Sequence, residues 1–385
     1  MTISLPRQFI FGATSPESAH QDHTQIDVDL MATLRLDGFR FTLNWARIQP
    51  DGCAPVPESG LDPYDELVDR LLGAGIEPMV TLHHHELPVA LAAAGGWQRR
   101  ETAQRFGDYA QTVADRMADR VAYWCPINEP NADTVAGIHH RLLAHGLAVA
   151  ALRAAGAAAI GSANHHSPVW AADDDAPTQH AASWYDTLHN HAVADPMLTG
   201  QYPAGLADRM PTQPGDLAAI SSPLDFYGIN YYRPTLVGAP HPDPYIRGSA
   251  ALPVSILPID GYQRTEVGWP VVPHGLHELL VSLDRRYPHL PAIHVTENGC
   301  VHAGLNDIPR IDFLNGHLNA VAVANSEGIN VAGYWSHSLS DTLTPHNHPH
   351  YQWGLVHVDE RSGWRTPRAS YQWYRQRIAE HRRAP

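Results

Sequence analysis

Cysteine is scarce: Cys53, Cys125 and Cys300 are the three in 385 residues. They are too few and too scattered for a disulfide framework or a zinc knuckle, and free thiols favour a reducing compartment. Positive charge is scarce as well. Lys and Arg number 26 against 40 Asp and Glu, a formal net charge of −14. No basic stripe runs along any element; Arg99-Arg100 and the tail from Arg375 read as solvated helix faces. A phosphate backbone would be repelled, which excludes nucleic acid as a partner. Long apolar runs are missing too. No window approaches the roughly 18 to 20 apolar residues of a membrane helix. Met1 to Phe11 lacks a basic start followed by an apolar core of signal-peptide length. The expectation is a soluble, cytoplasmic protein with no membrane partner.

What is present is a core-forming composition, 44% hydrophobic and only 17% charged, which excludes disorder for the chain as a whole. Barrel folds of this length are often one unit, so residues 1–385 are expected to form a single domain. Histidine is abundant, 26 in all, in groups at His83-His84-His85, His139-His140, His165-His166 and His346/His348/His350. Without helical i,i+4 spacing or a supporting carboxylate pattern they do not read as a metal site. They read as loop and rim residues with no single role.

Short β-rich runs alternate with longer helical stretches from end to end. The strand candidates are Phe9–Ala13, Phe39–Trp45, Glu77–His83, Tyr123–Ile127, Ala158–Ala163, Asp225–Tyr231, Ala292–Thr296 and Val331–Trp335. Their Val, Ile, Phe and Tyr content suits strands buried on both faces of a parallel sheet. Helical patterns lie between them: Pro63 to Leu72 with Asp62 as N-cap, Arg99 to Arg120, Ala136 to Ala155, Trp184 to His191, His274 to Arg286, Arg310 to Asn325 and Pro367 to His381. Eight such units predict an α/β fold, a single (β/α)8 TIM barrel, rather than an open doubly wound sheet. Pro and Gly gather in 51–60, 203–215 and 234–261, which read as irregular excursions of the loops.

Two of the strand candidates run straight into a glutamate. Trp124-Cys125-Pro126-Ile127 leads to Asn128-Glu129-Pro130, and Ile293-His294-Val295 leads to Thr296-Glu297-Asn298-Gly299. A carboxylate just past an apolar barrel strand stands at the C-terminal mouth, where barrels carry their chemistry. Two of them, three strands apart, face each other across that mouth. Acetal hydrolysis needs this pair: one carboxyl protonates the leaving oxygen, the other attacks or activates water at the anomeric carbon.

The chain resembles family 1 glycoside hydrolases, the β-glucosidase and β-galactosidase family, over nearly its whole length. Phe9-Ile10-Phe11-Gly12-Ala13 is similar to the opening strand, and Phe39-Arg40-Phe41-Thr42-Leu43-Asn44-Trp45-Ala46-Arg47-Ile48-Gln49-Pro50 to the second-strand motif. Thr81-Leu82-His83-His84-His85-Glu86-Leu87-Pro88, Ile127-Asn128-Glu129-Pro130, Asp225-Phe226-Tyr227-Gly228-Ile229-Asn230-Tyr231-Tyr232, Val295-Thr296-Glu297-Asn298-Gly299 and Trp353-Gly354-Leu355-Val356-His357-Val358-Asp359 follow in the family's order. The resemblance implies a retaining β-glycosidase that works on a small-molecule glycoside with no cofactor or metal. It implies Glu129 as acid/base and Glu297 as nucleophile, the latter kept charged by Arg40 and the Tyr232 hydroxyl. It also implies sugar contacts from Gln21, His84, His85, Asn128, Asn230, His337, Thr344 and Trp353. A transglycosidase on the same scaffold and a non-catalytic glycan-binding barrel are the alternatives.

Three departures from the family pattern bear on the substrate. The loops after the first strand and after Glu129 are short, so the mouth is expected to be wide on the leaving-group side. The eighth-strand motif reads Gly333-Tyr334-Trp335-Ser336-His337-Ser338-Leu339-Ser340-Asp341-Thr342-Leu343-Thr344-Pro345. His337 replaces a platform Trp, Thr344 replaces the Glu that grips the 4- and 6-hydroxyls, and Pro345 replaces its Trp neighbour. Losing that charged bidentate acceptor weakens hexose binding by roughly 1.5 to 3 kcal/mol. Finally, the opening motif carries about two extra residues before Gln21, and His85 stands where a Trp is usual.

Overall fold

The computed structural model of the protein describes residues 5–15, 25–131, 134–239, 254–341, 351–359 and 361–383. Its centre is a parallel sheet of β1 (Ile10–Thr14), β2 (Gly38–Thr42), β3 (Glu77–His83), β4 (Tyr123–Ile127), β5 (Ala159–Ile160), β6 (Asn164–His165), β7 (Phe226–Asn230), β8 (Ala292–Asn298) and β9 (Val331–His337). The order is β5-β4-β3-β2-β1-β9-β8-β7-β6. β5 pairs with β4 and β6 with β7, so the two are halves of one interrupted strand and the sheet closes on itself. The result is a (β/α)8 barrel.

The backbones stay in close contact across the interruption. Bridges join Gly161 to Phe226 and Asn128 to Ala163 across the gap. A Cβ on Gly228 would lie 1.9 Å from the Ser162 carbonyl oxygen, and one on Gly161 would lie 2.5 Å from the Phe226 ring. Two backbones approach there at a distance only glycine permits. Met79, Cys125, Ala163, Phe226 and Trp335, contributed by five different staves, fill the barrel interior as a separate buried cluster. Burial holds the two buried thiols protonated: Cys125 is pushed up to about 11 and Cys300 to about 12.

The crossover helices follow the apolar spacing. Arg100–Met117 buries Thr102, Ala103, Phe106, Tyr109, Ala110, Val113, Ala114 and Met117, an i,i+3/i+4 stripe laid against Val135–Ala154 and the barrel. Val135–Ala154 is long and apolar enough to pass for a membrane span, contrary to the sequence expectation, but most of it is buried inside the protein. Other boundaries need correction. The third helix runs Glu58–Gly73, so Asp62 is not its N-cap; Pro57 stands there and Pro63 lies within the helix. Leu61 and Tyr64 are buried around that proline, and their packing outweighs the one lost backbone bond. The stretch read as one helix from Trp184 is Ala176–Asp186, a π-helical turn at Thr187–His191 and Ala192–Thr199. A helix at Gln25–Leu34 was not anticipated. The 234–261 excursion is not wholly irregular: Thr235–Gly238 pairs with Ser255–Leu257 and with Val169–Ala171 in a small outer sheet.

The histidine groups are also not mere rim residues. His83, His139, His140 and His166 are buried. His139 bridges the Tyr202 hydroxyl at 2.8 Å and Asp216 at 3.0 Å, and His166 bridges Asn190 and Tyr227 at 3.0 and 2.9 Å. Arg100, expected to be solvated, grips the same Asp216 through both guanidinium nitrogens at 2.8 and 2.5 Å. These side chains tie helices to one another and to the barrel, and the buried polar groups are satisfied by doing so.

Candidate active site

The strand ends at the barrel mouth bring the two glutamates into one hydrogen-bonded network. Glu297 comes from β8, where register shifts after Val295 against both β7 and β9 re-aim the chain. Its carboxylate is buried. Arg40 Nη1 donates to Oε1 at 2.6 Å, and the Tyr232 hydroxyl donates to Oε2 at 2.6 Å. His337 Nδ1 stands 3.6 Å from Oε2. Burial pushes the Glu297 carboxyl up, but the charge of Arg40, then of His337 and His84, with the Tyr232 hydrogen bond, more than offsets that and holds it well below the usual carboxylate range. Burial beside Glu297 and Glu129 in turn keeps the Tyr232 hydroxyl protonated.

Arg40, on β2, divides its planar fork. Nε donates to Thr81 Oγ1 at 2.9 Å, Nη1 also reaches the Thr296 carbonyl at 3.4 Å, and Nη2 donates to Asn128 Oδ1 at 2.5 Å. Arg40→Met would leave the buried Glu297 carboxylate without the cation that offsets its burial. Urea unfolding at pH 7 is expected to show a loss of about 3 to 5 kcal/mol; a loss under 1 kcal/mol would mean the pair is far more solvated than its geometry implies.

Glu129 leaves β4 with a positive φ of 47°, a conformation that non-glycine residues rarely adopt and that costs of order 1 to 3 kcal/mol. The strain is held by its neighbours. The Glu129 N–H donates to Ala163 O at 2.8 Å and the Asn128 N–H to His83 O at 2.9 Å. Asn230 Nδ2 donates to Glu129 Oε1 at 2.8 Å and to Asn128 Oδ1 at 3.1 Å, while Thr296 Oγ1 donates to Asn230 Oδ1 at 2.7 Å. The chain Glu129–Asn230–Asn128–Arg40–Glu297 therefore fixes one carboxylate relative to the other. One has a permanent cation; the other is half-buried and held by an amide.

The remaining expected residues gather around this network or lie beyond the described residues. His84 Nε2 meets Asn128 Nδ2 at 2.6 Å, and the His85 ring, exposed on the rim, lies 4.3 Å from the His84 ring. Trp353 faces His337 at 5.2 Å and Tyr232 at 5.7 Å. Gln21 and Thr344, with Pro345 and the 346–350 histidines, fall outside the described residues. Sequence reasoning missed Trp269, 5.8 Å from the Tyr232 ring with Arg233 over its own ring at 5.4 Å, and His165, 6.2 Å from Tyr232. His165 carried a signal, since it ends the fifth stave; Trp269, in the irregular chain between Leu257 and the helix that starts at Pro273, carried none. Among the described residues, no three His, Cys, Asp or Glu side chains are grouped to hold a metal ion.

Residues 7–138 and 131–383 match the sequence profile of Glycosyl hydrolase family 1. The chain belongs to that family. As a glycosyl hydrolase family 1 member it is an enzyme, a retaining O-glycoside hydrolase of β-glucosidase-like build. A beta-glucosidase from an Agrobacterium species is 37% identical to it, over 95% of this chain and 86% of its own. A bifunctional beta-D-glucosidase/beta-D-fucosidase from Bifidobacterium breve is 35% identical over 92% of this chain and 86% of its own. Among solved structures, the psychrophilic beta-glucosidase BglU from Micrococcus antarcticus superposes with a TM-score of 0.90, at 32% identity and 98% coverage of both chains. The virulence factor SghA from Agrobacterium tumefaciens, in complex with its substrate analog salicin, superposes at 0.87, with 31% identity over 97% of this chain and 96% of its own.

Proposed function

We propose that this enzyme hydrolyses a β-linked glycoside by double displacement, with Glu297 as nucleophile and Glu129 as acid/base. The observation that carries the assignment is the division of labour around the two carboxylates. Glu297 has each oxygen bonded, one to Arg40 and one to Tyr232, and stays ionised. Glu129, on the strained turn after β4, is held by Asn230 rather than by a cation. In the first step a Glu297 oxygen bonds to the anomeric carbon while the glycosidic C–O bond breaks, and the leaving oxygen takes the Glu129 proton. In the second, water gives its proton back to Glu129 as its oxygen displaces Glu297. Asn128 would meet the sugar 2-hydroxyl and His84 the 3-hydroxyl; the bonds of Asn128 to Arg40 and His84 support this.

The sugar we propose differs from plain glucose or galactose at carbons 4 to 6: a pentose, a deoxy sugar or an aminosugar, carried on a bulky aglycone. Thr344 and Pro345 in place of the family's Glu and Trp support it, as do the short loops at the mouth. The Bifidobacterium relative, named for both β-D-glucosidase and β-D-fucosidase activity, supports only that a sugar without the 6-hydroxyl can be taken on this scaffold. Proton NMR during hydrolysis of a panel of aryl β-glycosides tests both parts. The first-formed free sugar is expected to be the β-anomer, and a 6-deoxy or pentose substrate is expected to turn over fastest. The α-anomer first would overturn the mechanism; a plain glucoside matching or beating every modified sugar would overturn the substrate.

A further inference from the structure

His337 occupies a place at the nucleophile that a tryptophan could not use in the same way. It ends β9, in register with Thr14 of β1 and directly after Ser336, the partner of Asn298 on β8. That register brings the imidazole to the floor of the mouth, 11% exposed against 6% for the Glu297 side chain. Nδ1 lies 2.9 Å from Thr14 Oγ1 and 3.6 Å from Glu297 Oε2, the oxygen that also accepts from Tyr232. The Trp353 ring meets the imidazole at 5.2 Å and 73°, and the Tyr232 ring at 6.1 Å and 90°, so its plane is fixed by edge contacts on two sides. A lone pair on Nδ1 would face the carboxylate oxygen and repel it. An N–H there is attracted, and Thr14 Oγ1 can accept from the same proton.

We infer that His337 is a positioning residue for Glu297, carrying its proton on Nδ1 and favouring the second displacement over the first. The inference rests on Glu297 being the nucleophile. An N–H dipole or imidazolium beside Oε2 stabilises the carboxylate when it is charged and does nothing for it as an ester. Attack on the substrate consumes that charge, so the first step gains nothing. When water displaces Glu297, the C–O bond electrons return to the carboxylate beside His337, and the departing group is a better one for it.

Stopped-flow kinetics with 2,4-dinitrophenyl β-D-fucoside separate the two steps, because release of that phenol is fast. His337→Phe is expected to lower the steady-state rate about tenfold while changing the burst rate less than about twofold, with the burst rising toward one equivalent. His337→Asn, whose amide can set an N–H where Nδ1 was, is expected to recover most of the steady-state rate. Thr14→Val, which removes the hydroxyl anchor and leaves the ring, is expected to show the same split more weakly. Burst and steady-state rates falling together in His337→Phe would mean the ring only shapes the pocket, and the inference fails; an unchanged steady-state rate also refutes it. If wild type shows no covalent glycosyl-enzyme at all, trapped or kinetic, the nucleophile assignment fails instead.

Discussion

Glu297→Gly is expected to lose roughly four or more orders of magnitude in kcat and to recover turnover of an activated aryl β-glycoside when azide is added. The physical case rests on what the substitution leaves behind. Arg40 keeps its bonds to Thr81 and Asn128, and the Tyr232 hydroxyl keeps its place, so the vacated volume is an anion cradle without an anion. A small linear anion fits it. Attack by azide from that side is a single displacement, so the product is the α-glycosyl azide, and no ester forms to be hydrolysed. The same substitution strands a buried guanidinium, which costs about 3 to 5 kcal/mol. Azide is therefore expected to raise the thermal midpoint of the variant and not of wild type. Full activity in Glu297→Gly, or a β-azide product, would remove Glu297 from the nucleophile's role.

That prediction draws on residues that the sequence exposed unevenly. Staves such as Glu77–His83 and Tyr123–Ile127 are legible to the residue because a short apolar run with burial on both faces leaves little freedom of register. The glutamates were legible for the same reason: a carboxylate at the end of such a run has nowhere to go but the mouth. Thr14, Thr81 and Thr296 were not legible. Each becomes a partner of the site only through register between neighbouring strands, and a threonine in a strand carries no mark of what stands across from it. The broken fifth stave shows the converse, since the collision that Gly161 and Gly228 avoid is with chain about 65 residues away in sequence. Asp62-Pro63 misled because proline after an N-cap residue is a helix-start signal, whereas here the helix begins a turn earlier around buried Leu61.

Acid is expected to unfold this protein well above the pH at which its carboxylates titrate. Four fully buried histidines, His145, His166, His294 and His317, are each pushed down to about 4 by burial. Among the described residues neither nitrogen of His145 has a hydrogen-bond partner, and Nε2 of His317 has none. A free histidine titrates near 6.5, so the unfolded chain takes up protons between pH 6.5 and 4 that the native state refuses. The stability these groups permit is therefore fully present above pH 6.5 and is lost as pH falls toward 4. At pH 5 each neutral buried histidine costs the native state roughly 2 kcal/mol, or roughly 8 kcal/mol for the four, which is comparable to the whole stability of an ordinary domain. The lowered carboxylates act later in the same direction: Asp216, where burial is outweighed by Arg100 and its hydrogen bonds, sits at about 2, and the stability it confers goes only below about pH 4. Burial holds His83 and His189 well below the free value too, so urea unfolding followed from pH 7 to pH 5 should show a steep fall with an uptake of more than about four protons. His145→Leu, which replaces an imidazole lacking partners with an apolar group, should reduce that uptake by one and be more stable than wild type at pH 5. A stability flat across this range would mean that water or structural relaxation reaches these rings, and that the burial assigned to them is wrong.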